Sequence, residues 1–207
     1  TLPDVTGSAP DGRVLYQTGK KWISPGERVV LLGANGTGKT QLINLVARAC
    51  HGEGPVRAAS SVVPGISDQH LSQLTPDRTP MALITERFDI GDQRARGALA
   101  GAGVVMAMQD TPIDALSGGQ KARLAMLILR LTRPNFYVLD EPTNHLDIEG
   151  QEALEEELIL HGAACLLVSH DRSFLRNVGN RLWWINGTRL EEVDDPEAFL
   201  KDEMAAG

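Results

Sequence analysis

The stretch Gly33-Ala34-Asn35-Gly36-Thr37-Gly38-Lys39-Thr40 fits the phosphate-loop pattern G-x-x-x-x-G-K-[S/T] at every fixed position. Before it, Val29-Val30-Leu31-Leu32 is a short apolar run suited to a buried parallel strand; after it, Gln41 to Ala47 has helical spacing. A strand therefore runs into a tight loop and then a helix. Glycines at 33, 36 and 38 let successive backbone N–H groups turn inward on phosphate oxygens at the positive end of that helix. Lys39 reaches the β- and γ-phosphates, and the Thr40 hydroxyl is placed to ligate Mg²⁺.

A chain of 207 residues with 42% hydrophobic content can bury one good core and a small subdomain. It contains no window of about 18 uncharged apolar residues, so no membrane-spanning segment is expected. It begins at Thr1 without an initiator methionine, which points to a processed protein or a piece of a longer one. Cys50 and Cys165 lie far apart in apolar surroundings without metal-ligand spacing, as reduced core residues of a cytoplasmic protein would. The net charge of −7 argues against this segment alone holding a nucleic acid by its phosphates.

Residues 1–12, rich in Pro, Gly, Asp and Ser, suggest a linker end or an exposed lead-in loop. Val14-Leu15-Tyr16 and Trp22-Ile23 read as the two strands of a hairpin, with Ser24-Pro25-Gly26-Glu27 turning into the phosphate-loop strand. Tyr16 and Trp22 could stack on an adenine or simply pack a small sheet. The first helix ends around Gly52 and Gly54, and Ser61-Val62-Val63 reads as a strand leading to a loop that carries Gln69. A glutamine there could coordinate a metal or position an attacking water. Residues 75–115, helical but interrupted by glycines and Pro112, suggest a small mobile helical subdomain.

Leu116-Ser117-Gly118-Gly119-Gln120 opens a helix whose Ser117 cap and free N-terminus suit an anion, while Leu124, Leu127, Ile128 and Leu131 form its packing stripe. Phe136 to Leu139 reads as a second buried strand ending in Asp140-Glu141. Asp140 can hold Mg²⁺, and Glu141 can polarise a water for in-line attack on a γ-phosphate. An acidic helix follows over 148–160, with Leu154, Leu158 and Ile159 inward and Glu152, Glu155, Glu156 and Glu157 on a solvated face. A third strand, Cys165 to Val168, delivers His170 to the carboxyl end of the sheet, where ligands bind in open α/β folds. Arg181 to Ile185 reads as a strand with one tryptophan on each face, turning at Asn186-Gly187; the tail from Glu191 is expected to be acidic and helical.

Together, GANGTGKT at 33–40, LSGGQ at 116–120, YVLDEPTNHLD at 137–147 and SHDRSFL at 169–175 resemble the ATP-binding-cassette ATPases, and specifically the ABC-F subfamily, over nearly the whole chain. The resemblance implies an α/β fold of the P-loop NTPase type: a mostly parallel sheet core, a small antiparallel β subdomain and a short helical signature subdomain at about 70–132, all in one nucleotide-binding domain over 1–207. It implies that Gly33, Asn35, Gly36, Thr37, Gly38, Lys39, Thr40 and Gln41 bind ATP, and that Thr40, Gln69 and Asp140 hold Mg²⁺. It further implies that Glu141 is the catalytic base, His170 the switch histidine, Gln69 the Q-loop residue and Asp147 the D-loop residue. Ser117, Gly118, Gly119 and Gln120 would serve, in trans, a nucleotide held by a second cassette of the same chain or of a homodimer. The aromatic that usually stacks on adenine falls near Pro10, where this chain has none.

The resemblance also implies a role. ABC-F proteins carry two cassettes and no membrane domain, and act on the ribosome near the tRNA sites as translation factors or antibiotic-resistance proteins. A cytoplasmic ATPase reaching ribosomal RNA or tRNA through its full-length protein is therefore expected. The linker-like start and the short span from Lys39 to Gln69 suggest the second of two cassettes. The alternative is the ATP-binding subunit of a membrane transporter, against which the NHLD and SHDRSFL strings speak. A DNA-repair ATPase would need zinc cysteines or long coiled coils, and the sequence has neither.

Overall fold

The computed structural model describes residues 1–144, 146–160, 162–195 and 199. One sheet of eight strands organises them, in the order β1-β2-β8-β7-β3-β6-β5-β4. These are β1 (Thr6–Ser8), β2 (Val14–Gln17), β3 (Arg28–Gly33), β4 (Pro64–Ser67), β5 (Phe136–Asp140), β6 (Ala164–Val168), β7 (Arg181–Asn186) and β8 (Arg189–Val193). Strands β7, β3, β6, β5 and β4 run parallel, β8 pairs antiparallel with β7, and the antiparallel pair β1/β2 joins the same sheet where Gln17 meets Arg189.

The parallel strands are apolar on both faces because helices cover both. Side chains alternate along each strand, so Val29 and Leu31 of β3, Val138 of β5 and Leu166 of β6 pack against α1 (Lys39–Cys50) through Leu42, Ile43 and Val46. Their neighbours Val30, Tyr137, Leu139, Cys165 and Leu167 face the other way. They meet Leu154 and Leu158 of α6 (Ile148–Leu160) and Phe174, Leu175 and Val178 of α7 (Arg172–Val178). Both cysteines are free; burial pushes the Cys165 thiol up to about 12.

Between β4 and β5 lie α2 (Pro80–Arg87), α3 (Asp92–Gly101), α4 (Met106–Gln109) and a 3-10 turn at Ile113–Ala115. Their apolar faces close on Leu124, Leu127 and Ile128 of α5 (Gly118–Thr132), while Leu129 of the same helix packs on the sheet. Helix α5 thus ties the helical segment to the core.

Several expectations are corrected. Residues 1–12 are not merely a linker, since Leu2 is buried and bridges Lys21, and β1 lies within them. The partner of β2 in its hairpin is β1, not Trp22-Ile23. The strand expected at Ser61–Val63 starts three residues later, at Pro64. It is the edge strand, and Pro opens it because a missing N–H is tolerated at that position. Ile159 is 41% exposed rather than inward. Glu157 is not on the solvated face: it accepts a hydrogen bond from the buried Tyr137 hydroxyl at 2.9 Å. Glu191–Val193 belong to β8 rather than to a helix, and the tail from 196 lies outside the described residues apart from Phe199, which packs on Trp184 at 5.1 Å. Trp183 is buried and Trp184 half-buried, one on each face as expected.

Replacing Leu158 with Ala should cost about 2–5 kcal/mol of unfolding free energy, whereas Ile159→Ala should cost under about 1 kcal/mol. Urea titration of both variants followed by far-UV circular dichroism checks this; equal losses would contradict the described face of α6.

Candidate nucleotide site

Three loops leave the carboxyl ends of neighbouring strands in the order β3, β6, β5. Register fixes their relative height, with Val30 opposite Leu167 and Asp140 opposite Val168. They surround a cavity of about 340 Å³ lined by Leu15, Asn35, Gly36, Gly38, Lys39, Thr40, Gln69, Asp140, Glu141, Val168 and His170. Residues up to 155 positions apart in sequence, from Leu15 to His170, thus face one space.

The phosphate loop is braced from within. The Thr37 hydroxyl donates to the Ala34 carbonyl at 2.8 Å, and the Lys39 ammonium donates to the carbonyls of Gly33 (2.8 Å) and Ala34 (3.2 Å). Gly38, at the N-cap of α1, has φ +93°, and a Cβ there would meet the Tyr16 ring at 2.9 Å. Both the backbone angle and the close approach require glycine. Burial lowers the Lys39 pKa, opposed by the nearby charges of Glu141 and Asp140.

Asp140 is 1% exposed, and its Oδ1 accepts from the Gln69 amide at 3.4 Å while its Oδ2 is a buried oxygen without a protein partner. A buried carboxylate oxygen of that kind, with Thr40 and Gln69 lining the same cavity, is the donor set a hard divalent cation takes. These residues fit Mg²⁺. Glu141 has φ +53°, a costly conformation for a non-glycine residue, sustained by its surroundings. Its N–H donates to Val168, and its Oε2 accepts from the His170 backbone N–H at 3.1 Å. The His170 Nε2 stands 3.3 Å from Oε1, within ion-pair range but not aligned as a hydrogen bond. The His170 side chain is otherwise 70% exposed, against 5% for Glu141. Thr143 and Ser169 share a buried hydroxyl contact of 3.1 Å that fixes the two loops to each other, and Asp171 caps α7 through the N–H groups of Ser173 and Phe174.

Some expected site residues lie elsewhere. Gly33 and Thr37 shape the loop without lining the cavity, and the Gln41 amide donates to the Ser8 carbonyl at 3.0 Å, tying α1 to β1. Ser117 caps α5 in a capping box whose reciprocal bond comes from the Gln120 side chain, so Gln120 is engaged at home. Ser117 and Gly118 are exposed and do not line the cavity. Asp147 accepts from the Gly150 N–H at 3.1 Å and pairs with Arg123 of α5, which holds its carboxyl below the usual range. Neither aromatic candidate lines the cavity. Tyr16 is 1% exposed beneath Gly38, and Trp22 borders a different hollow near Thr1 and Phe136. His145, within the EPTNHLD string, lies outside the described residues. Sequence reasoning missed Leu15, Val168 and the Arg123 partnership. For Leu15 the signal was its alternation with Tyr16 in one strand.

The sequence profile of the ABC transporter family matches residues 20–144. The chain belongs to that family. Similar proteins include the probable ATP-binding protein YheS of Escherichia coli K12, 34% identical over 92% of this chain and 31% of that protein. ABC transporter F family member 5 of Arabidopsis thaliana is 33% identical over 95% of the chain and 29% of its own length. The ribosome protection protein VmlR of Bacillus subtilis is 31% identical over 87% and 33%. The homologues are ABC-F members, and this chain spans about a third of their length. In fold it matches a dimeric, post-hydrolysis structure of the ATP-binding cassette MJ0796 bound to ADP and Pi. The TM-score is 0.70 at 20% identity, covering 92% of this chain and 96% of that one. The family and the fold are those of an ATP-binding cassette. No helix among the described residues is long and apolar enough to cross a membrane.

Gly38→Ala should raise the Kd for ATP by at least about tenfold, because the left-handed backbone and the Tyr16 contact both resist a Cβ. Titration with a fluorescent ATP analogue measures it, and unchanged affinity in a folded variant would contradict the described loop.

Proposed function

We propose that this chain is the ATP-hydrolysing cassette of a two-cassette ABC-F protein that acts on the ribosome. The observation that carries the reading is the convergence of Lys39, Thr40, Gln69, Asp140, Glu141 and His170 on one cavity. Lys39 and the loop amides hold the triphosphate, and Thr40, Asp140 and Gln69 would hold Mg²⁺, which when bound neutralises charge on the β- and γ-phosphates. Glu141 is the base that takes the proton from the attacking water. Its carboxylate is nearly buried, with one oxygen fixed by a backbone N–H and the other left toward the cavity. The exposed His170 imidazole reaches the γ-phosphate side and aligns Glu141.

Ser117 and Gly118 are exposed and do not line this cavity, which supports a role for the signature toward a nucleotide on a second cassette. Two cassettes closing head to tail around two ATP molecules would complete both sites, with Ser117, Gly118 and Gly119 of each capping the other's γ-phosphate and Asp147 at the seam. The VmlR likeness supports the ribosomal role, in the cytoplasm, with protection against antibiotics one form of it. The charge of −7 argues against this segment alone holding a nucleic acid and supports contacts to rRNA or tRNA through other parts of the full-length protein. The uninterrupted run from α1 to β4 supports the second cassette position.

Glu141→Gln in the full-length protein should bind ATP normally, lose turnover by about 100-fold or more, and pellet with purified ribosomes only when ATP is present. Turnover at the wild-type rate would remove Glu141 from its role. Failure to pellet with ribosomes, with ATP-dependent pelleting on membranes instead, would favour a transporter subunit.

A further inference from the structure

A second cavity, of about 540 Å³, lies at the amino ends of the parallel strands, where Phe136 starts β5 and Ala164 starts β6. It shares no lining residue with the cavity around Lys39. Helix α1 begins at one cavity with Lys39 and Thr40, and its far end lines the other with Val46, Ala49 and Cys50. Aromatic rings complete an apolar wall: Phe136, the buried Trp183, and Trp22, which is 56% exposed. Concave apolar walls with a few polar groups are the usual form of a small-molecule site.

The polar groups of this wall are biased toward donors. Arg57 is its one cationic side chain; it is exposed, makes no ion pair among the described residues, and no acidic side chain of a described residue lines the cavity with it. The Trp183 indole N–H is buried without an acceptor. The other two unpartnered buried side-chain atoms among the described residues are carboxylate oxygens of Asp140 and Glu141, at the cavity around Lys39. Buried polar groups are ordinarily paired, so an unpaired one in a cavity wall marks a place for a ligand. The Asn135 carboxamide is already spent, accepting from the Val63 N–H and donating to the Ser61 carbonyl. We infer that this second cavity binds a small aromatic monoanion, its rings against the apolar wall and its acid group on the Arg57 guanidinium.

The test uses 2-naphthoate as probe and 2-naphthol as its uncharged counterpart, titrated into the full-length protein with and without saturating ATP. The expected Kd for 2-naphthoate is about 100 µM or tighter, and about fivefold or more weaker for 2-naphthol. Arg57→Gln, at an exposed position, should weaken 2-naphthoate by about tenfold and erase its advantage, whereas Trp22→Ala should weaken both probes alike. 2-Naphthoate should also slow modification of Cys50 by an apolar maleimide, followed by peptide mass spectrometry, since Cys50 lines the cavity and Cys165 is sealed in the core. Absence of binding, equal binding of the two probes, or an Arg57→Gln variant that binds as the wild type overturns the inference. Displacement of 2-naphthoate by ATP, or an unchanged rate at Cys50, puts the probe elsewhere and overturns it as well.

Discussion

The site depends on the parallel pairing of β3, β6 and β5, with β6 in the middle. That pairing sets the ends of three strands side by side, so the phosphate loop, the Asp140-Glu141 step and the Ser169-His170 turn open into one space. A slip of one residue would invert every side chain, turning Val138 and Leu166 away from α1 and carrying Asp140 off the cavity. The two apolar layers, α1 on one face and α6 with α7 on the other, hold the register because each strand is buried on both sides.

On this frame the polar groups are placed at some cost. Asp140 and Glu141 are carboxylates almost without solvent, Glu141 in a left-handed backbone conformation, and each keeps one oxygen free of protein donors. Buried polar atoms are ordinarily satisfied, and strained residues persist only where their surroundings over-determine them. Here the surroundings are the Val168 carbonyl, the His170 N–H and the Thr143–Ser169 hydroxyl contact. Both carboxylates line the cavity together with Lys39, whose pKa their charges raise against the effect of burial.

Helix α5 links this centre to the signature. Its Leu129 packs on the sheet, its Leu124 and Ile128 pack under the helical segment, and its Arg123 holds Asp147. One rigid element thus reaches the core, the helical segment and the start of α6. A rotation of the helical segment would be felt at Asp147 through the Arg123 guanidinium, against which Gly103 packs so closely that a Cβ would stand 2.6 Å from it.

The chemistry-bearing residues were legible because their motifs are local. Glycine spacing, a Lys-Thr step at a helix start and two carboxylates at the end of an apolar run each declare a backbone shape and a charge within a few residues. The parallel strands were legible for the same reason, since burial on both faces leaves an unbroken apolar run. The sequence by itself therefore determined the fold class, the candidate nucleotide site and the order of its parts. The tertiary structure alone decided which neighbour each part meets. It made β1 rather than Trp22-Ile23 the partner of β2, since exposed two-stranded pairing carries little local signal. It moved β4 to Pro64, where an edge position tolerates the missing N–H. It also buried Tyr16 and left Leu15 lining the cavity, because a strand offers alternate residues to opposite faces and only packing chooses which face is the core.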